Sequence, residues 1–167
     1  MLQRLNHAVV QFKLMKNKID LIDLQIIQLL SENAQITYTE IAKKLIISSG
    51  TVHARVKKMW DLGFIVGSTM KLNYKAIGWD LTVFLGIHLK QTNAFKDVIE
   101  TLLQIPEVVK LHHISGKYDI FLKIHARDSD HYRNIYQKRI LSIPGIKGIE
   151  SFISLEENTN RHVDFSK

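Results

Sequence analysis

The chain has no cysteine among its 167 residues, which excludes disulfides, thiolate catalysis and cysteine-based zinc sites. It has two prolines, Pro106 and Pro144, and each falls where a helical pattern stops. No apolar run, including the longest near Leu81, approaches the roughly 20 residues that a membrane helix needs. The N-terminus lacks a signal-peptide core of adequate length and a small-residue cleavage site, so a cytoplasmic protein with no membrane partner is expected. Acidic residues are in deficit: 16 Asp and Glu stand against 23 Lys and Arg, a net charge of +7. That imbalance suits an anionic partner, and nucleic acid is the commonest. The hydrophobic fraction of 46% is that of a globular chain, long enough for one domain or two small ones.

The charge is concentrated. Five of the cations lie between Lys43 and Lys58. Within that region Ser48 to Gly63 reads as one helix with two faces. Val52, Val56 and Met59 recur at helical spacing and form an apolar stripe. Ser48 is a natural N-cap, and Gly63 supplies a left-handed stop. Ser49, Thr51, His53, Arg55, Lys57 and Lys58 face outward, as donors and cations that fit a DNA major groove. Just upstream, Thr37 and Glu40 form a capping box for a short helix with Ile41 and Leu45 inward. Two short helices with a tight connection, the second one basic, are the helix-turn-helix pattern. Asp20 to Leu30 supplies a preceding helix, with Asp20 and Asp23 at its positive end. After Gly63, two β-prone runs broken at Gly67-Ser68 predict a small hairpin, or wing.

The rhythm then changes. Val83, Leu85, Ile87 and Leu89 alternate as a half-buried strand does. Phe95, Val98, Ile99 and Leu102 follow helical spacing. Val108 to Ser115 is a second strand, Gly116-Lys117 a tight turn, and Ile120, Leu122 and Ile124 share a face of a third. Tyr132, Ile135, Tyr136, Ile140 and Ile143 form another amphipathic helix, and Ile149, Ser151, Ile153 and Leu155 a last strand. The fold class expected is α+β: a winged helix-turn-helix followed by a ferredoxin-like βαββαβ domain with both helices on one side of an antiparallel sheet. The domain reading is a leader at 1–16, a DNA-binding domain at 17–72, a linker at 73–80, a sheet domain at 81–158 and a tail at 159–167. On the far face of the sheet, Phe84, Phe121 and Phe152 need a partner, which a sheet-to-sheet homodimer would supply.

These motifs resemble the Lrp/AsnC (leucine-responsive / asparagine-responsive) family of transcription regulators. The likeness runs from Ile19 to Glu157: the aspartate pair Asp20 and Asp23, the run Glu40-Ile41-Ala42, then Ser48-Ser49-Gly50-Thr51-Val52-His53-Ala54-Arg55-Val56, and Ser115-Gly116-Lys117-Tyr118-Asp119. The Gly-Thr-aliphatic-His-x-Arg-Val run is nearer the asparagine-responsive branch. The resemblance implies a DNA-binding dimer that assembles further, often to an octamer, with an amino-acid effector between dimers. Carried over by position, the effector residues are His113, Gly116, Lys117, Tyr118 and Asp119, with Ser129 and Arg133 more weakly placed. No cofactor, metal or catalytic residue is implied. Three positions depart from the family pattern. Ile46 stands where Gly or Asn is frequent, although a β-branched residue resists positive φ. Ser49 replaces a usual Pro or Ala, and His113 an aliphatic residue.

For DNA, Lys43, Lys44, Lys57 and Lys58 are expected on phosphates and Ser49, Thr51, His53 and Arg55 near the base edges, with Arg55 the best guanine reader; Ser48, at the helix start, is counted in the same interface. Two other functions compete. One is an architectural DNA-binding protein with no effector. The other is a haem-pathway decarboxylase of similar architecture, for which His112, His113, His125, Tyr118 and Arg133 are available. Adjacent His112 and His113, however, point to opposite faces of a strand.

Overall fold

The computed structural model describes residues 18–165. The expected leader at 1–16 therefore lies outside the described residues. The chain forms two compact units, one reaching to Met70 and joined by the C-terminal segment from Thr159, the other Lys71–Asn158. The tail is part of the N-terminal unit, where the Phe165 amide donates to Gln28 Oε1 at 2.9 Å.

The first unit is built on three helices. Helix α1, Leu21–Glu32, is capped by Asp20, whose carboxylate accepts from the Asp23 amide while that of Asp23 accepts from the Asp20 amide. Helix α2, Tyr38–Leu45, begins with the expected reciprocal box of Thr37 and Glu40. Helix α3, Ser49–Asp61, is capped by Ser48, and Gly63 just beyond it has φ +74°. Ile26 of α1, Ile41 and Ala42 of α2, and Val52, Val56 and Met59 of α3 form the core. Small Ala42 lets two helices close on each other, as its place in the pattern requires.

Two details depart from expectation. Ile46, in the turn between α2 and α3, adopts the left-handed conformation (φ 56°, ψ 47°) and is 93% exposed. It is the one non-glycine residue with positive φ among the described residues. The turn geometry that usually calls for Gly or Asn is thus imposed on a β-branched residue, at a cost of about 1–2 kcal/mol. The wing hairpin is not formed: Phe64 to Asn73 contains no strand among the described residues. Phe64 and Ile65 instead donate to the Met59 carbonyl at 2.9 and 3.2 Å, closing the end of α3. Gly67 does not take the positive φ that a two-residue hairpin turn needs.

The second unit has the expected order: β1 (Leu81–Leu89), α4 (Phe95–Leu103), β2 (Val108–His113), β3 (Ile120–Ala126), α5 (Ser129–Ile135) and β4 (Ile146–Ile153). The sheet order is β2-β3-β1-β4, and every pairing is antiparallel. Alternation puts Val83, Leu85 and Ile87 of β1 and Ile120, Leu122 and Ile124 of β3 against the helices. Both helices lie on that one side. The predicted helix Tyr132 to Ile143 is not α-helical throughout. Tyr136–Ile140 is a π-turn in which the Leu141 amide bonds the Tyr136 carbonyl. The extra residue per turn lets Ile135 and Ile140, five apart, both reach the core. Leu155, expected on β4, lies beyond it and is exposed.

Replacing Ile46 by Gly relieves the strained turn and sacrifices little buried surface. Glycine's greater freedom in the unfolded chain offsets part of the gain. Ile46→Gly is expected to stabilise the helix-turn-helix unit by about 0.5–1 kcal/mol. This would be measured by urea unfolding followed by Trp60 fluorescence in a Trp79→Phe background.

Candidate nucleic-acid interface and ligand-domain face

Helix α3 turns its residues by about 100° each, and the buried stripe Val52, Val56, Met59 fixes its roll. One flank of the stripe carries Ser49, His53 and Lys57, all exposed. Lys43 and Lys44, in the last turn of α2, are exposed too. His53 stands edge-on to Tyr38 with ring centroids 5.8 Å apart. Ser48 and Thr51 share a 2.8 Å hydrogen bond, and the Ser48 hydroxyl also accepts from the Thr51 amide. Those two hydroxyls are occupied in the helix cap.

The other flank carries Arg55 and Lys58, and both turn back to α1. Arg55 Nη1 lies 2.9 and 2.8 Å from the two Asp20 carboxylate oxygens and 2.8 Å from Asp23 Oδ1. Lys58 Nζ lies 2.9 Å from Asp23 Oδ2. The Asp23 side chain is 0% exposed. The Asp23 backbone amide and then Arg55 hold the Asp20 carboxyl below its ordinary range. Burial pushes the Asp23 carboxyl up, but Arg55 and Lys58 outweigh it and the net shift is downward. Asp20 and then Asp23 raise the Arg55 guanidinium in return. Sequence reasoning had assigned the aspartates to the helix dipole. The available signal was Asp23's place one residue after Ile22 and three before Ile26, on the apolar side of α1.

On the sheet domain, the face without helices carries the aromatic set. Phe84 and Phe121 stack at 5.7 Å between centroids, Phe121 and Phe152 are 6.4 Å apart, and Phe152 is 42% exposed. Tyr118, expected at the effector turn, joins them and lies flat over Gly86. A Cβ on Gly86 would sit 2.6 Å from the ring, so only glycine fits there. Beside the aromatics, a cleft of about 150 Å³ is lined by Phe84, Lys110, His112, Phe121, Leu122 and Lys123.

The turn before β3 is built as the spacing suggests, with Gly116 at φ +124°. Asp119 Oδ2 accepts the Leu89 amide at 2.8 Å and so extends the β1–β3 ladder past its last backbone pair. Lys117 Nζ and Tyr118 Oη meet Glu150 Oε2 at 2.8 and 2.9 Å, and His88 Nε2 lies 3.7 Å from Glu150 Oε1. Lys117 and then Tyr118 lower the Glu150 carboxyl, which in turn raises Lys117. Sequence reasoning missed Glu150, although its neighbour Ser151 faces the opposite side of β4. His113 turns to the helix side and packs on Phe95 at 4.0 Å, whereas His112 lines the cleft on the opposite face. Ser129 and Arg133 follow the other end of β3, and Arg133 pairs with Asp130 at 3.0 Å. Within one chain they are not gathered with Gly116 to Asp119.

His125, the remaining strand histidine, is buried under Tyr74, stacked 4.3 Å away, with Thr82 Oγ1 3.0 Å from its Nδ1. Among the described residues no group of three or more His, Asp or Glu converges on a metal-sized space. No helix among them is long and apolar enough to cross a membrane.

Three helices, the second and third forming a helix-turn-helix, together with a βαββαβ sheet define a DNA-binding protein with a ligand-binding domain. Residues 19–66 match the model for winged helix-turn-helix DNA-binding, and residues 82–163 that for the Lrp/AsnC ligand binding domain. The regulatory protein AsnC of Haemophilus influenzae is 32% identical over 147 residues, covering 88% of this chain and 98% of that protein. An uncharacterised HTH-type transcriptional regulator of Pyrococcus furiosus is 34% identical over 141 residues, 83% of this chain and 93% of its own length. The chain belongs to the Lrp/AsnC family of transcriptional regulators. The structure of Escherichia coli AsnC superposes with a TM-score of 0.82 at 32% identity, covering 87% of this chain and 98% of that one. A Neisseria meningitidis transcriptional regulator in complex with L-Met has the same fold, with a TM-score of 0.82 at 23% identity over 86% of this chain and 94% of that one.

Proposed function

We propose that the protein binds DNA sequence-specifically through the Ser49, His53 and Lys57 flank of α3, as a homodimer whose sheet domain senses an amino acid. The observation that carries the DNA reading is that flank: donors and a cation, exposed, with Lys43 and Lys44 on the neighbouring helix. Lys43, Lys44 and Lys57 hold phosphates, and Ser49 and His53 approach base edges. Ser48 and Thr51 shape the helix start rather than read bases. Lys58 contributes less than first expected, because Asp23 engages it.

Phe84, Phe121 and Phe152 form the dimer face. A second copy of the sheet is the occupant of matching size and chemistry, because two such faces pack about 10 Å apart with their side chains interleaved. Dimers then assemble further, to the octamer that the family resemblance implies, which brings Ser129 and Arg133 of one copy within range of another's Gly116 turn.

The effector reading follows from the Glu150 cluster. An amino acid placing its carboxylate on Lys117 and Tyr118 displaces Glu150 from those donors. Its ammonium then pairs with the released Glu150, so no charge is left without a partner. A carboxylic acid without the amine leaves Glu150 unpaired and binds more weakly. The architectural reading without an effector has one observation in its favour: Lys117 and Tyr118 are already satisfied within the chain.

Three outcomes test this. Lys57→Ala is expected to reduce affinity for selected and random duplexes alike, and to lower the slope of log affinity against log salt by about 0.9 for each protomer in contact. An unchanged slope rejects the phosphate role. Phe152→Glu is expected to give a folded monomer by light scattering; an unaltered assembly removes the sheet face from the interface. In a thermal-shift panel, the effective amino acid raises the melting point while its des-amino acid analogue does so far less. No shift with any amino acid favours the architectural reading.

A further inference from the structure

At the cation in the centre of α3, chemistry and surroundings disagree. An arginine on such a helix is the best available guanine reader, yet this one faces carboxylates of its own domain. Its Nη1 is within 2.9 Å of three carboxylate oxygens on two residues. One of those residues, Asp23, is fully buried and carries Lys58 on its other oxygen. The other, Asp20, is the N-cap of α1 and is bonded reciprocally to Asp23. Two carboxylates and two cations therefore form a cluster whose formal charges cancel. At about 100° per residue, Arg55 and Lys58 project from the opposite flank of the buried stripe to Ser49, His53 and Lys57.

We infer that Arg55 is a positioning residue: it clamps α3 to the capped start of α1 and so fixes where the Ser49–His53–Lys57 flank points, without itself reading a base. This rests on the DNA-binding reading above and refines it. Swinging Arg55 out to a groove would strip the buried Asp23 of one of its two cations, and a desolvated carboxylate resists that loss. A guanidinium suits the task because the fork of two N–H bonds on Nη1 is held in the plane of the group and can meet two carboxylates in fixed directions, which a rotating ammonium cannot. Pinning a helix at its middle and towards its C-terminal end sets its roll. A small error in roll is enough to misplace every base contact at once.

The test uses the full chain. Duplexes enriched from a random-sequence library by the wild-type protein are compared with the unselected library over a potassium chloride series. Arg55→Ala is expected to lower affinity for enriched duplexes about tenfold or more through misplacement. Affinity for the unselected library and the salt slope should stay near wild type. Reselection with the variant should return a motif weakened throughout. Asp23→Asn should behave alike, and the double variant should lose little beyond the worse single one, because the two residues act as a unit. A slope reduced by about 0.9 for each protomer in Arg55→Ala would instead make Arg55 a phosphate contact. A wild-type motif relaxed at one base pair would make it a base reader, and unchanged specific affinity would leave the clamp without consequence. Each of these overturns the inference.

If circular dichroism shows that Arg55→Ala is unfolded, Arg55→Lys and Asp20→Asn carry the same readouts. The first keeps the charge and loses the fork; the second removes the exposed half of the clamp. A fall in the ratio of enriched to unselected affinity supports the clamp, and a constant or rising ratio rejects it. If the wild-type protein itself shifts no duplex, the DNA-binding reading fails, and that result is distinct from any of these.

Discussion

A carboxylate with no access to water organises the N-terminal unit. Asp23 is buried on α1, and an isolated charge there is prohibitively unfavourable unless cations reach it. Arg55 and Lys58 reach it from α3 and thereby join the first helix to the third. Apolar contacts alone, among Ile26, Ile41, Val52 and Met59, bring the helices together but tolerate sliding and rotation, since such contacts have no direction. The charged cluster does have direction. It selects one roll of α3 from those the core would accept, and the flank left outward is the one with Ser49, His53 and Lys57. On the proposed reading, the attraction to DNA falls to cations outside the cluster, and affinity and orientation are carried by different residues.

The sheet domain separates its tasks by strand parity. One set of alternate residues, Val83, Leu85 and Ile87 with Ile120, Leu122 and Ile124, meets the helices and closes the core. The other set displays Phe84, Phe121 and Phe152. Glycine at position 86 is what allows Tyr118 to leave the turn and lie on that second face. Once there, its hydroxyl reaches Glu150 on β4, across β1 from the turn. Tyr118 therefore belongs to both groups: its hydroxyl meets Glu150, and its ring lies 6.2 and 6.1 Å from those of Phe121 and Phe152.

Much of this was legible from residue order. Helix caps at Thr37 and Ser48, the stop at Gly63 and the βαββαβ order follow from local rules, and the family motifs pointed to the same fold. What escaped is non-local. The pairing of Arg55 with residues 32 and 35 positions earlier has no local signature, and a cation on a helix reads equally as solvent-facing. Glu150 meets Lys117 and Tyr118 only because β1 lies between β3 and β4 in the sheet. The wing failed for a different reason: Gly67-Ser68 allows a hairpin turn but does not compel one, and backbone bonds to Met59 draw the start of the segment elsewhere. At Ile46 the rule read from the sequence was sound. Tertiary packing of α2 on α3 overrode it, forcing the left-handed turn on a residue that resists it.

The two charged clusters are chemically alike, each pairing carboxylates with cations at 2.8–2.9 Å, yet burial gives them opposite characters. Asp23 is sealed, so any exchange of its partners for water or ligand incurs the full cost of desolvation. Glu150 and Lys117 are 42% and 65% exposed, and solvent screens a pair in that setting, so it contributes little to stability. On the proposed effector reading, a ligand offering one carboxylate and one ammonium exchanges the Glu150–Lys117 contact for an equivalent pair of contacts. The Arg55–Asp23 contact offers no such opening. Within one chain, the same pairing of charges is fixed where it covers a buried carboxylate, Asp23, and exchangeable where both partners face water.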